Sequence, residues 1–427
     1  MYYIKNKIIL SLIIVIFFNT YVFAYIDPAI GSMFFSIVLG IVATIFFLLK
    51  SVFYKLSFIV TGFNKKTRTN YNSIVLYNEG KKYVICFEPL LDEFERKKVS
   101  VIYYTSEKDD PLLEKKYQYI KTEFIGEGNK AYMKLSLLEA DICVMTTPGL
   151  NVYQLKRSKK VKHYSHIFHG TGDACDYRLF GLDYYDSIML TNEINGTYIR
   201  ELEEKRNLKT KELVVAGSVY LDEMERLVKL IAKEKNEKFT ILVAPTWGPQ
   251  AIFSKYGTEL IDLLLQKDWN IIIRPHQQSY ISEKELIKNI QNKYKKNNNI
   301  FFDNNVNNLI SLNKADILIS DFSGIIFDYA FLFNKPFIYT EYEQNREIYD
   351  YSDLSHDTWK TEVLRKIGFE LKRDNFKNII DVIKKTVNDK EKIKNVEEVK
   401  KEIWQKQGQA VQIITDFVIK KQKDLSK

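Results

Sequence analysis

Cysteine is scarce in this chain, three in 427 residues, and no two stand at paired or metal-ligand spacing. That excludes a disulfide framework and a cysteine-held zinc site. Cys86 and Cys143 lie in apolar, strand-like runs, as core thiols do, so a reducing compartment is expected. Internal repeats and low-complexity tracts are also missing, which argues against a solenoid or a disordered chain. No dense carboxylate cluster asks for a metal. Nor is there a basic stripe: 63 Lys and Arg against 54 Asp and Glu leave a net charge of +9, but the two signs are interspersed. Nucleic acid is therefore not the expected partner. A modest positive excess suits anionic lipid or a phosphorylated substrate.

What the chain does have is apolar residues, 46% of the total with 27% charged, enough for two cores of ordinary size and additional segments. Ile8 to Ala24 is nearly all apolar and Ala29 to Leu49 is apolar again, each close to the ~20 residues that cross a bilayer. Lys5 and Lys7 precede the first run, and Lys50, Lys55, Lys65, Lys66 and Arg68 follow the second. The positive-inside rule then places both ends of a transmembrane hairpin, and the large domains, in the cytoplasm at the inner membrane. Cleavage of a signal peptide after Val22-Phe23-Ala24 is the competing expectation.

Beyond the hairpin, apolar runs alternate with longer amphipathic stretches: Ser73–Tyr77, Tyr83–Phe87, Val99–Tyr104, Asp141–Met145, Val161–Phe168, Ser187–Leu190 and Glu212–Ala216. A polar break at Lys235-Asn236-Glu237-Lys238 precedes a second series, Phe239–Val243, Trp269–Arg274, Ile300–Phe302, Asp316–Ser320 and Pro336–Thr340. This rhythm predicts βα units, hence an α/β fold with two Rossmann-type domains in series. The expected boundaries are 1–68 for the membrane hairpin and juxtamembrane segment, 69–235 and 236–385 for the two α/β domains, and 386–427 for C-terminal surface helices.

Ligands of doubly wound sheets bind beyond the carboxyl ends of the strands, so polar residues there carry most weight. Four groups qualify. His169-Gly170-Thr171 ends the run Val161–Phe168, where an imidazole suits a general base and a structural loop histidine is the alternative. Ala244-Pro245-Thr246-Trp247 follows the first strand of the second domain, as a cleft rim or an ordinary loop. Arg274-Pro275-His276 pairs a guanidinium with an imidazole, apt for a diphosphate, while an ion-paired structural arginine is equally compatible. The fourth, Ser320-Asp321-Phe322-Ser323-Gly324, turns a buried strand into a helix whose first N–H groups form an anion site. Ser323 and the Gly324 amide are its expected phosphate ligands. Asp321 and Asp328 are candidates as well, although capping the helix or facing solvent describes them more simply.

These four groups, in this order, resemble the CDP-glycerol glycerophosphotransferase family, which primes or polymerises the glycerol phosphate of teichoic acids in cell-envelope biosynthesis. The resemblance covers Val161 to Thr340 and implies a GT-B fold, with the acceptor on the first domain and the CDP-linked donor on the second. It implies that His169 and His276 are catalytic, with His169 deprotonating the acceptor hydroxyl. It further implies donor binding by Arg274, Thr246, Asp321, Ser323, Gly324 and Asp328, without a cofactor. The expected substrates are CDP-glycerol and a lipid-linked or glycan acceptor. This chain carries Gly172-Asp173-Ala174 where members commonly have Pro and then Lys, and Gly324 where they have a second Ser. Two other functions fit the residues: a GT-B glycosyltransferase using a nucleotide sugar, and a non-catalytic membrane-anchored nucleotide-binding protein.

Overall fold

The computed structural model describes residues 38–42, 44, 45, 49, 74–172, 174–231, 236–305, 307–341 and 347–427. The chain divides into two units, Met1–Thr69 and Asn70–Lys427. In the first unit the described residues between 38 and 49 are helical and present Val38, Leu39, Ile41, Val42, Ile45 and Leu49 to solvent. Most of the expected transmembrane hairpin lies outside the described residues, and among those described no helix is long and apolar enough to cross a membrane.

The second unit holds two parallel sheets. Seven strands form the first: β1 (Ile74–Asn78), β2 (Val101–Thr105), β3 (Ile120–Phe124), β4 (Glu139–Met145), β5 (Lys160–Ile167), β6 (Ser187–Leu190) and β7 (Glu212–Val215). Their order is β3-β2-β1-β4-β5-β6-β7. Six form the second: β8 (Thr240–Val243), β9 (Asn270–Ile273), β10 (Ile300–Phe302), β11 (Ile317–Ser320), β12 (Phe337–Thr340) and β13 (Gly368–Leu371), ordered β10-β9-β8-β11-β12-β13. Each sheet is covered on both faces, which is why the central strands read as unbroken apolar runs. In β1, Val75 and Tyr77 enter one core while Ile74 and Leu76 enter the other. In β8, Leu242 faces one core and Ile241 and Val243 the opposite one.

Four elements differ from the sequence pattern. Tyr83–Phe87, read as a strand, contains the start of the helix Val84–Arg96, whose Cys86, Phe87, Leu90, Leu91 and Phe94 are buried at helical spacing. Strands β3 and β13 were not expected. Both lie at sheet edges and are only partly buried, so their apolar signal is weak. The C-terminal helix Ala410–Leu425 is more than a solvated surface element: Ala410, Ile414 and Val418 join the core beneath the first sheet with Phe87 and Leu90. Its entry is fixed by Asp222, which accepts hydrogen bonds from Trp404 Nε1 (2.9 Å) and from the Gly408 and Ala410 amides (2.9 and 3.3 Å).

Candidate active site

In an open parallel sheet the loops that leave the two strands flanking the reversal of strand order diverge, and the gap between them is a crevice. The reversal falls between β1 and β4 in the first domain and between β8 and β11 in the second. The Thr246 loop leaves β8 and the Ser323 turn leaves β11. His169 leaves β5, which pairs with β4 through Met145 and His166.

The structure brings these loops together by direct contacts. Asp328, in the first turn of the helix Ile325–Phe333, accepts from the Thr171 hydroxyl (3.2 Å) and the Tyr220 hydroxyl (2.7 Å). The second domain is thereby tied to the His169 loop of the first. Asp321 accepts from the Thr246 amide (2.9 and 3.1 Å) and from the Ile252 amide (3.3 Å), which fixes the β8 loop over the β11 turn. Both carboxylates are buried. Burial pushes Asp321 up to about 7 against the backbone amides that bond it, and Asp328 up to about 6 against the hydrogen bonds of Tyr220, Thr171 and Asn308. Their oxygens accept hydrogen bonds from protein groups in this structure.

Arg274 is engaged by neighbouring protein groups. Its guanidinium pairs with Asp303 and donates to the Asn305 carbonyl (2.7 Å), both on the segment after β10. His276, beside it, is exposed, and its Nδ1 accepts from the Gln278 amide (3.1 Å), leaving Nε2 as the edge to face a ligand. Burial, Lys82 and Arg274 lower its pKa, in that order, and Glu283 opposes them.

At the phosphate turn, Gly324 is exposed and no side chain caps the helix Ile325–Phe333. The Ser323 hydroxyl reaches the Ile325 amide only at 3.5 Å. A Cβ built on Gly324 meets nothing within 4 Å, so the helix N-terminus opens onto free space and its dipole favours an anion there.

His169 packs against Tyr83, with ring centroids 4.5 Å apart and the rings tilted by 59°. Burial first, then the Lys82 ammonium, push its pKa down to about 4, while the Thr146 backbone favours the charged form. The imidazole is thus neutral at neutral pH and able to accept a proton. His163 and His166 are buried within β5, bonded to Ser187 (2.8 Å) and Tyr177 (3.1 Å), as befits structural residues. Sequence reasoning missed Lys82, which follows β1 at the crevice. The available signal was the Gly80-Lys81-Lys82 sequence directly after the first strand.

The model of the CDP-glycerol:poly(glycerophosphate) glycerophosphotransferase family matches residues 195–420. The chain belongs to this family. As a CDP-glycerol glycerophosphotransferase it carries Thr246, Arg274, His276 and the Ser323 turn inside the matched span, which begins after His169. Solved structures of the wall teichoic acid polymerase TagF superpose with a TM-score of 0.55 at 17% identity, over 92% of this chain and 98% of that one. The S. aureus MnaA–UDP structure gives 0.55 at 14% identity, over 83% and 97%. UDP-GlcNAc 2-epimerase from Neisseria meningitidis gives 0.52 at 13%, over 82% and 100%. These likenesses establish the fold, a GT-B-like pair of Rossmann-type domains. No curated protein matches the chain in sequence.

Proposed function

We propose that this glycerophosphotransferase is anchored at the inner membrane with its catalytic domains in the cytoplasm. Its substrate pair in this reading is CDP-glycerol and a hydroxyl of a lipid-linked or glycan acceptor. The acceptor oxygen forms a bond to the glycerol-linked phosphorus, the bond from that phosphorus to the CMP oxygen breaks, and CMP leaves with the electron pair. His169 takes the acceptor proton. Ser323, the Gly324 amide and His276 hold the diphosphate, and His276 donates a hydrogen bond to the departing phosphate. Positioning and charge neutralisation supply most of the rate in such a transfer. Arg274, Asp321 and Asp328 keep these groups in place from behind, and Thr246 forms the rim.

The observation that carries the reading is the junction of three of the four sequence groups at the crevice, through Thr171 on Asp328 and Thr246 on Asp321. A free-state pKa near 4 would make His169 a weak base. A bound dianionic diphosphate offsets the Lys82 charge and raises that value, which ties basicity to donor binding. The exposed apolar helix surface between residues 38 and 49 supports membrane attachment. Alkaline extraction of membranes tests this part. Retention of the full chain in the pellet and release of a chain beginning at residue 70 are expected, and release of both contradicts anchoring.

A further inference from the structure

The reversal point of the first sheet has loops of its own. Residues 79–83 leave β1 and residues 146–150 leave β4, and the reaction as described uses neither. Lys82 lies in the first of these loops. Its ammonium stands over the Tyr83 ring, 4.7 Å from the centroid, and that ring packs against His169 at 4.5 Å. Lys82 is exposed, and among the described residues no carboxylate forms an ion pair with it. The carboxylate in its own loop, Glu79, is engaged by the Tyr83 hydroxyl. The second loop adds Thr146 Oγ1 and Thr147 Oγ1, and the end of β5 adds His169 Nδ1; these three atoms are buried and have no hydrogen-bond partner among the described residues. Buried polar atoms rarely go unpaired, so such a cluster marks a place where a polar ligand or water completes the bonding.

Lys82 also reaches across the crevice. Its charge is the second-largest influence on His169 of the first domain and on His276 of the second. A cation whose charge is felt by both histidines can also act on a phosphoryl group held by them, with His169 serving the attacking oxygen and His276 the leaving one.

We propose that Lys82 is the cation which the first domain contributes to the donor phosphates, binding the transferred phosphoryl group from the side opposite Ser323 and the Gly324 amide. This rests on the glycerophosphotransferase reading above. Among its described residues the second domain offers the diphosphate backbone dipoles, a hydroxyl and an imidazole, while Arg274 pairs with Asp303; Lys82 supplies the full positive charge. A flexible ammonium point charge suits a phosphate whose geometry changes during transfer.

The test compares wild type, Lys82→Ala, Lys82→Arg and the neighbouring Lys81→Ala by CMP release from CDP-glycerol, by calorimetric binding of CDP, and by NMR titration of the histidine ring protons. Lys82→Ala is expected to lower kcat/KM on the order of 10²-fold, to weaken CDP binding, and to raise the pKa of both His169 and His276. Lys82→Arg restores most of the activity, and Lys81→Ala leaves all three readouts unchanged. Equal kcat/KM and CDP affinity in wild type and Lys82→Ala overturns the proposal. A wild type that releases no CMP but binds CDP in a Lys82-dependent manner sinks the assigned reaction and keeps the phosphate site. Lys82-independent binding sinks both.

Discussion

His169 and Arg274 show how burial and partner choice separate residues that look alike in sequence. The placement of His169 was legible because an imidazole that ends an apolar run has to emerge at a strand end, and its Nδ1 has no hydrogen-bond partner among the described residues. Replacing it with Ala is expected to reduce CMP release by about 10²- to 10⁴-fold, with the thermal midpoint little changed. Arg274 sits at an equally exposed type of position, yet its orientation depends on Asp303, which belongs to a different βα unit and cannot be located from local spacing. Removing the guanidinium strands the buried Asp303 carboxylate. Arg274→Ala is therefore expected to cost roughly 3 kcal/mol in denaturant unfolding, while KM for CDP-glycerol changes less than in Lys82→Ala. A large KM effect with unchanged stability would place Arg274 on the donor after all.

Among the elements, the helix Ile325–Phe333 was predicted well because Ser, Asp and Gly at its start and an apolar run behind it agree on one structure. Gly324 has helical backbone angles, φ −59° and ψ −21°, so it is not required by conformation. Its value is the free space beyond its Cα. Gly324→Ala is expected to leave the melting temperature equal or slightly higher, because Ala narrows the unfolded ensemble, and to raise KM for CDP-glycerol several-fold by filling the approach to the amide. The edge strands β3 and β13 were not legible, since half-exposed edges lack the continuous apolar run that marked β1, β8 and β11. The packing of Ala410–Leu425 on the first domain was hidden for another reason. Its many lysines occupy the outward face, and only the spacing of Ala410, Ile414 and Val418 betrays the buried one. Ile414→Ala is expected to destabilise by about 2 to 4 kcal/mol, read as a lower denaturant midpoint, despite lying far from the crevice in sequence.

At the scale of the whole molecule, the two sheets are joined by buried ionisable groups. Arg206 donates to Asp183 (2.8 Å) in the first domain and to Asp350 (2.8 Å) and Asp353 (2.7 Å) after the second sheet's β12. Asp328 adds a further link through Thr171 and Tyr220. Burial pushes Asp328 and Asp350 up to about 6, above the ~3.9 of an unfolded aspartate. The folded protein therefore holds more protons than the unfolded chain between those values, and these groups lose stabilising effect as pH rises through that window. His163 and His169, pushed down to about 4, act in the opposite sense over about pH 4 to 6.5. The contribution of Asp328 is isolated by difference: the stability of Asp328→Asn relative to wild type should increase from about pH 4 to 7. A constant difference would contradict a raised Asp328.

The alternation of βα units made the two domains legible, and strand-end placement made three of the four sequence groups legible as neighbours. Which side chains face the crevice was decided by long-range partners: Asp303 for Arg274, Tyr220 and Thr171 for Asp328. The central claim is tested most directly by CMP release from CDP-glycerol with membranes containing the full chain, beside His169→Ala, His276→Ala and a panel of nucleotide sugars. The account predicts CMP release from CDP-glycerol that falls sharply in both variants, with no UDP or GDP released from the sugars. Undiminished release in His169→Ala, or turnover of a sugar nucleotide in place of CDP-glycerol, would contradict it.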